Sequence, residues 1–288
     1  SSPMLCPIGQ SNEKPPLQAL AKWGEYVTDA FMFAAVMSDA ESCRGVLERI
    51  LGIPIRKVMV HAEHVLFVNP ETRGVRLDVY ADDEHGTVYN VEMQTTDNKN
   101  LPKRSRYYQG QMDMDALKTG EDFARLPQSI VIFICTFDPF GRERYRYTFV
   151  ETCREDGELL EDGTCKIFLN TKGKIETGIG QELVRFLKWI GEPDAGKEKE
   201  ENDLLITKIR TQITDLKKNR GMEENYMLFG EMLDEERRQG QKEGLQQGKM
   251  DILLKLLQEH KIDVKTAASI MGMNEDEFAK AVKECQEV

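Results

Sequence analysis

Two short segments of alternating apolar and polar residues constrain the fold of this chain more than any other feature. Val75–Ala81 and Val88–Thr95 each place their apolar side chains at every second position, as strands with one buried face do. The residues between them, 83–86, carry the composition of a hairpin turn. A three-residue loop with Gly86 in the left-handed conformation fits this turn.

That loop length fixes which residues face each other across the predicted hairpin. The apolar side then has three pairs: Ala81 with Tyr89, Val79 with Val91, and Leu77 with Met93. The polar side has three others: Tyr80 with Asn90, Asp78 with Glu92, and Arg76 with Gln94. A loop one residue longer or shorter would set apolar residues against polar ones. The register therefore predicts that Asp78 and Glu92 face each other.

Two carboxylates placed opposite each other on a sheet repel, because their Cβ atoms are only about 5 Å apart. The repulsion is relieved if one acid is protonated or if a cation lies between them. A hard divalent cation such as Mg²⁺ binds carboxylate oxygens and water. A solvent-exposed polar face without a metal is the commoner cause of such a pair, and the spacing alone leaves both interpretations open.

The rest of the pattern indicates an α/β fold. The apolar run Ile130–Phe137 is typical of a strand buried on both faces. Further strands are predicted within Val58–Val68, Arg144–Val150 and Cys165–Leu169, and helices within Asp29–Met37, Glu41–Leu51, 104–119 and 180–190.

Composition also predicts the domain organisation. Residues 1–24 contain four prolines and indicate a loose arm, and residues 25–191 carry the α/β pattern. A Gly, Pro, Lys and Glu-rich stretch predicts a linker at 192–203, and residues 204–288 are predicted to be almost entirely helical.

Charge and cysteine usage limit the function classes. The net charge of −11 argues against a non-specific, charge-driven nucleic-acid binder, but it allows an enzyme that holds nucleic acid in one local groove. Six scattered cysteines without CxxC spacing favour a reducing compartment, so we expect a cytoplasmic protein. No apolar stretch approaches the ~20 residues needed to span a bilayer, and no membrane association is expected.

Basic and aromatic residues alternate just after the hairpin, in the helix predicted at 104–119 and immediately before it. They are Lys103, Arg104, Arg106, Tyr107 and Tyr108. Cations and aromatic rings in this arrangement can hold a phosphate backbone and stack on bases. The alternative is that the tyrosines cover the sheet and the basic residues are solvated. We predict a DNA contact here because the acid pair is near.

These motifs occur in an order that resembles a known family. Asp78-x13-Glu92-Met93-Gln94 lies on a strand–turn–strand hairpin, and NLPKRSRYYQ and IVIFICTFDPFG follow it. The chain is similar over roughly residues 25–190 to the PD-(D/E)XK nuclease family transposases, bacterial relatives of the recombination-promoting nucleases. The resemblance implies a restriction-endonuclease-like core, a mixed sheet flanked by helices, followed by an all-helical C-terminal region.

The resemblance also implies a site and a cofactor. Asp78 and Glu92 would be the metal-binding acids for Mg²⁺ or Mn²⁺, and Asp78, Glu92 and Gln94 the catalytic residues. Gln94 occupies the position at which the superfamily most often has lysine; it can orient water but carries no positive charge. A third acid would come from an N-terminal helix, with Asp29, Glu41 and Glu48 as candidates.

Two functions follow as hypotheses. The first is a metal-dependent DNA endonuclease of transposase or recombination type. The second is a catalytically weak or inactive descendant of the fold that binds DNA or protein. The presence of both acids favours the first, and Gln94 and the acidic balance leave room for the second. Homo-oligomerisation through the C-terminal helices is an additional expectation.

Overall fold

The predicted hairpin is part of a larger mixed sheet in the computed structural model, which describes residues 30–61, 65–66, 75–76, 79–193, 202–219, 221 and 248–286. Contacts divide the chain into two compact units, one up to Met222 and one from Glu223. The helices of the first unit are α1 (Ala30–Met37), α2 (Ala40–Leu51), α3 (Leu101–Ala116), α4 (Gln181–Gly191) and α5 (Leu204–Lys218). Its strands are β1 (Val58–His61), β2 (Val65–Leu66), β3 (Val75–Arg76), β4 (Val79–Asp83), β5 (Val88–Gln94), β6 (Ser129–Cys135), β7 (Arg146–Phe149) and β8 (Thr164–Asn170).

Six of these strands form one sheet in the order β1-β4-β5-β6-β8-β7, and β2 and β3 pair separately. β5, β6 and β8 run parallel to one another, whereas β1, β4 and β7 join antiparallel. The central strand β6 is buried over nearly its whole length, as its apolar run predicts. The mixed sheet with flanking helices confirms the predicted α/β fold.

The hairpin has the register that the apolar alternation predicts. Val79 pairs with Val91 and Ala81 with Tyr89. The turn is closed by a hydrogen bond from the Asp83 amide to the Thr87 carbonyl at 3.1 Å, and Gly86 has a φ of 78°. Asp78 lies outside the described residues, so its pairing with Glu92 stays a prediction.

The sheet has two differently built faces. The apolar side chains of β4 and β5 share one core with α1, α2, α4 and α5. The opposite face of β5 and β6 packs against α3 around Met112, Phe133 and Phe168. α3 therefore covers the polar side of the hairpin.

Some element boundaries differ from the sequence prediction. α3 begins at Leu101, before the predicted start at 104, because Pro102 fits the first helical turn, where its missing N–H is not needed. The predicted strand 75–81 is not one strand in its described residues. Val75 and Arg76 form β3, which pairs with β2, and Val79 begins β4.

The helix after the predicted linker belongs to the first unit. Ile206, Ile209 and Ile213 of α5 are buried in the core with α1, α2 and α4. Asp203, inside the predicted linker, caps α5 by accepting a hydrogen bond from the Ile206 amide. The division between units therefore falls after α5 and not at 192–203, because α5 has an apolar face that needs this core.

Polar contacts also tie α5 to α2. Asp39 caps α2 by accepting a hydrogen bond from the Ser42 amide at 2.8 Å, and Lys208 Nζ lies 2.7 Å from the same carboxylate. The Ser42 hydroxyl donates to Gln212 Oε1 at 2.8 Å. Partial burial would raise the pKa of Asp39, but the hydrogen bonds from Lys208 and Ser42 lower it from 3.8 to about 2.

This shift predicts a pH dependence of stability. Because the folded pKa of Asp39 lies below its ordinary value, its stabilisation is present at neutral pH and is lost as the pH falls from about 4 towards about 2. Urea unfolding of the wild type and Asp39→Asn should therefore give a difference in unfolding free energy that shrinks over this range. A difference that stays constant down to low pH would contradict this assignment.

The second unit contains a helix at 248–258, here α6, followed by α7 (Val264–Met271) and α8 (Glu275–Gln286). Leu253, Ala268 and Phe278 are among the residues that pack in its core. Both short helices confirm the helical prediction for this region. Residues 222–247, which precede α6, lie outside the described part. Within the described residues, no helix is long and apolar enough to cross a membrane.

Candidate active site

Three polar side chains of β5 lie on the face of the sheet that α3 covers. Asn90, Glu92 and Gln94 occupy alternate positions, so they share one face of the strand. All three are buried, and Glu92 exposes only 6% of its surface. A buried carboxylate requires a partner, since desolvating an unpaired charge is costly.

Arg104 of α3 is that partner. Its guanidinium forms a salt bridge with Glu92 Oε1, donates to Gln94 Oε1 at 2.8 Å, and donates to the Tyr108 hydroxyl at 2.8 Å. The guanidinium carbon also lies 5.4 Å from the centre of the Tyr108 ring and 5.6 Å from that of Phe133. Arg104 thus connects α3 with two polar side chains of β5.

Helical spacing explains why Arg104 and Tyr108 act together. Residues four apart lie on one face of a helix, and this face of α3 is turned towards β5. The Tyr108 ring stacks on Phe133, with ring centres 6.0 Å apart and an interplanar angle of 16°. The stacked rings fix the helix against the sheet and thereby position Arg104.

Burial and charge determine the protonation tendencies of this cluster. Burial raises the pKa of Glu92, and the charge of Arg104 offsets only part of this effect. Burial also raises the pKa of Tyr108 to about 12, with a further contribution from the Glu92 charge. The pKa of Arg104 is raised because Glu92 and Tyr108 outweigh the effect of its own burial. Arg104 is therefore a permanent cation in this site.

Several buried side-chain atoms of β5 and α3 have no hydrogen-bond partner in the described part of the chain. They are Glu92 Oε2 and both polar atoms of Asn90 on β5, and Gln109 Oε1 and Gln111 Oε1 on α3. Buried polar atoms are normally paired with protein, water or an ion. Four of these five atoms are oxygens, the kind of ligand atom that Mg²⁺ and Mn²⁺ prefer.

The described residues alone do not complete a metal centre. No group of three His, Cys, Asp or Glu side chains in them is arranged to hold a metal ion. Glu92 offers one oxygen without a hydrogen-bond partner, so a metal centre here would need another acidic ligand from outside the described part. Asp78 is the candidate that the hairpin register supplies.

The predicted DNA-contact residues separate into two sets. Lys103, Arg106 and Tyr107 are exposed on the outer side of α3. Arg104 and Tyr108 face inward and contact Glu92 and each other. The structure therefore places Arg104 and Tyr108 in the buried polar cluster around Glu92, here called the acid site, and Lys103, Arg106 and Tyr107 on the open side of α3.

Two of the three candidates for a third acid lie away from Glu92. Glu41 and Glu48 both form salt bridges with Arg44 on α2, at 2.8 and 3.0 Å. α2 packs on the face of the sheet opposite α3, because its apolar stripe joins the larger core. Asp29 lies outside the described residues.

Sequence reasoning missed Asn90 and the inward position of Arg104. The register had already paired Asn90 with Tyr80 on the polar side of the hairpin, which was a sufficient signal that it belongs to the same face. The four-residue spacing of Arg104 and Tyr108 indicated a shared face but not which way that face pointed.

Comparison with protein families agrees with this architecture. A model of the PD-(D/E)XK nuclease family transposases matches residues 43–239, which is more than half of the chain. The matched part contains the sheet, α3 and the acid site. The chain belongs to this family of nuclease-type transposases. Neither the search of curated proteins nor the search of solved structures gave a match.

Proposed function

We propose that the protein is a divalent-metal-dependent endodeoxyribonuclease that hydrolyses phosphodiester bonds. Asp78 and Glu92 would hold Mg²⁺ or Mn²⁺, and Gln94 would orient the attacking water. The observation that carries the proposal is Glu92 itself: a buried carboxylate on a central strand, at the position of the family's motif acid, with one oxygen free of hydrogen bonds among the described residues.

The residues of this chain fit a hard cation. Glu92 Oε2 is an unpartnered carboxylate oxygen, and a second carboxylate at Asp78 would give two acidic ligands. When bound, the metal would polarise a phosphoryl oxygen and lower the pKa of a coordinated water.

Gln94 is held in a defined orientation by two hydrogen bonds. Its amide nitrogen donates to the Thr96 carbonyl at 2.8 Å, and its amide oxygen accepts from Arg104. An amide oxygen has two lone pairs, so Gln94 Oε1 can accept a further hydrogen bond from water. This supports a role in positioning water.

The outer side of α3 is the proposed contact for DNA. Lys103 and Arg106 are exposed cations next to the acid site, and Tyr107, one helical turn after Lys103, exposes 42% of its surface. Cations that neutralise phosphates provide most of the affinity for a DNA backbone. This local patch allows DNA contact despite the acidic net charge of the chain.

Plasmid and single-strand cleavage tests the proposal. The wild type should cut DNA with Mg²⁺ or Mn²⁺ and stop when EDTA is added. Asp78→Asn should be slower by about 10²-fold or more, the scale expected when a main electrostatic element is lost. Asp122→Asn is the matched control, because this exposed acid caps a short helix and asparagine caps equally well. Equal cleavage by wild type and Asp78→Asn would contradict the assignment.

One observation favours the alternative of a binding protein without catalysis. The salt bridge between Arg104 and Glu92 neutralises the carboxylate that the metal would need. In that case the wild type would bind DNA but would cut it with neither metal. The same cleavage experiment therefore distinguishes the two functions.

A further inference from the structure

The position of Arg104 points to a role beyond pairing with Glu92. We infer that Arg104 is a catalytic residue that supplies the positive charge Gln94 lacks: it holds Glu92 in the metal-free protein and contacts the scissile phosphate once Glu92 is engaged by the metal. This inference rests on the proposed nuclease function and names the residue that binds the substrate's phosphate in that site.

The positive charge of Arg104 lies close to residue 94. Arg104 Nη1 lies 2.8 Å from Gln94 Oε1, so the guanidinium is beside the side chain of residue 94. A lysine at position 94 would have its ammonium group in the same neighbourhood. Arg104 thus brings a cation from α3 to a strand position that has none of its own.

Metal binding by Glu92 would free Arg104 for another partner. Glu92 and Arg104 neutralise each other in a buried cluster, and Arg104 keeps only 26% of its side chain exposed. If Glu92 bound a metal, its carboxylate would neutralise the Arg104 guanidinium less completely, and the guanidinium would remain largely buried. A buried cation needs a new anion. The phosphodiester is the anion that a nuclease brings to this point.

The shape of the Arg104 side chain also suits a phosphate. A guanidinium presents a planar fork of N–H donors that matches two oxygens of a phosphate. The Tyr108 hydroxyl and the rings of Tyr108 and Phe133 hold the plane of Arg104, which limits the freedom it has to lose on binding. Charge stabilisation by a preoriented donor is most effective where negative charge develops in the reaction.

The test uses Arg104→Gln, Arg104→Lys and the double variant Arg104→Gln/Gln94→Lys, which moves the cation from α3 to β5. Arg125→Gln is the control, since it removes the same charge from an exposed ion pair with Glu121. Calorimetry with Mn²⁺ alone measures metal affinity, and single-turnover cleavage at saturating Mn²⁺ measures the chemical step. Thermal melting confirms that each variant is folded.

We expect Arg104→Gln to bind Mn²⁺ about fivefold or more tightly, because a like charge beside the metal site is removed. The same variant should cut DNA about 10²–10³-fold more slowly, because the phosphate loses its donor. Arg104→Lys and the double variant should each regain about tenfold or more over Arg104→Gln, since each restores the positive charge. Arg125→Gln should match the wild type in both measurements.

A purely structural role for Arg104 gives a different result. Loss of its support for Glu92 would weaken Mn²⁺ binding, and a lysine at position 94 would not restore cleavage. Either result would overturn the inference, and so would an Arg104→Gln variant with the Mn²⁺ affinity and cleavage rate of the wild type. The proposed function would still stand in these cases if the wild type binds Mn²⁺ and cuts DNA. If Arg104→Gln does not fold, Arg104→Lys and the double variant test the inference instead. Cleavage more than about 10²-fold slower than the wild type in both variants would overturn the inference. A wild type that neither binds Mn²⁺ nor cuts DNA refutes the proposed function and the inference together.

Discussion

Replacing Glu92 with glutamine is expected to slow metal-dependent DNA cleavage by about 10²–10³-fold and to weaken Mn²⁺ binding with it. Glutamine keeps the length of the side chain and still accepts the hydrogen bond from Arg104. It removes the negative charge that the metal needs and leaves Arg104 without its counter-charge. Cleavage time courses and Mn²⁺ calorimetry on the same preparations measure both effects.

The matched control for Glu92→Gln is Asp113→Asn. Asp113 is a partly buried acid on the same helix as Arg104, and burial raises its pKa as it does for Glu92. Its Oδ1 lies 3.4 Å from the Ser129 hydroxyl, and it makes no hydrogen bond to Arg104 among the described contacts. Asp113→Asn should keep Mn²⁺ binding and cleavage close to wild type. Equal losses in both variants would show that Glu92 acts only through folding.

Asp203→Ala is expected to lower the free energy of unfolding of the first unit by about 3–5 kcal/mol, the cost of breaking a buried ion pair. Asp203 Oδ1 lies 2.5 Å from Arg49 Nη2, and the side chains expose only 5% and 10% of their surfaces. The same oxygen caps α5 by accepting a hydrogen bond from the Ile206 amide at 3.2 Å. Alanine would leave the Arg49 guanidinium buried without its anion and remove the cap.

A control on the same helix separates this effect from general damage to α5. Asp215 pairs with Lys218 at 3.3 Å, and both side chains are largely exposed. Exposed pairs contribute at most about 1 kcal/mol, so Asp215→Ala should change stability little. Urea unfolding measures both variants. Equal small effects would contradict the account in which Asp203 locks α5 to the core.

The hairpin could be predicted from the sequence because one face of it is apolar and the other is polar. A shift by one residue would move every apolar side chain to the wrong face, so Val79, Ala81, Tyr89 and Val91 admit one register. The buried strand β6 was recognisable for a similar reason, since both of its faces are covered. The family resemblance, now shown by the family model, rested on these same segments.

The orientation of α3 could not be predicted in the same way. Lys103, Arg104 and Arg106 are equally basic in the sequence, and only packing against Phe133 shows that Arg104 faces inward. Lys103 and Arg106 lie within two residues of Arg104, yet they are exposed whereas Arg104 contacts Glu92. Helix propensity and charge carry no information about how α3 is rotated about its own axis.

Composition does not show packing, and the division between the two compact units falls after α5. The stretch before α5 is polar and contains glycine and proline, which is typical of a linker. Yet Asp203 at its end is buried by Arg49, and the isoleucines of α5 complete the core of the first unit. A polar residue that caps a helix looks like linker sequence until its partner is known.

Iron-directed cleavage of the polypeptide tests most directly whether the acid site holds the metal. Fe²⁺ bound in place of Mg²⁺ generates radicals, with ascorbate and peroxide, that break the backbone close to the ion. We predict breaks next to Glu92 and next to Asp78 in the wild type, prevented by excess Mg²⁺ and absent in Glu92→Gln. Breaks away from both acids, or the same breaks in Glu92→Gln, would contradict a metal-dependent nuclease site at Glu92.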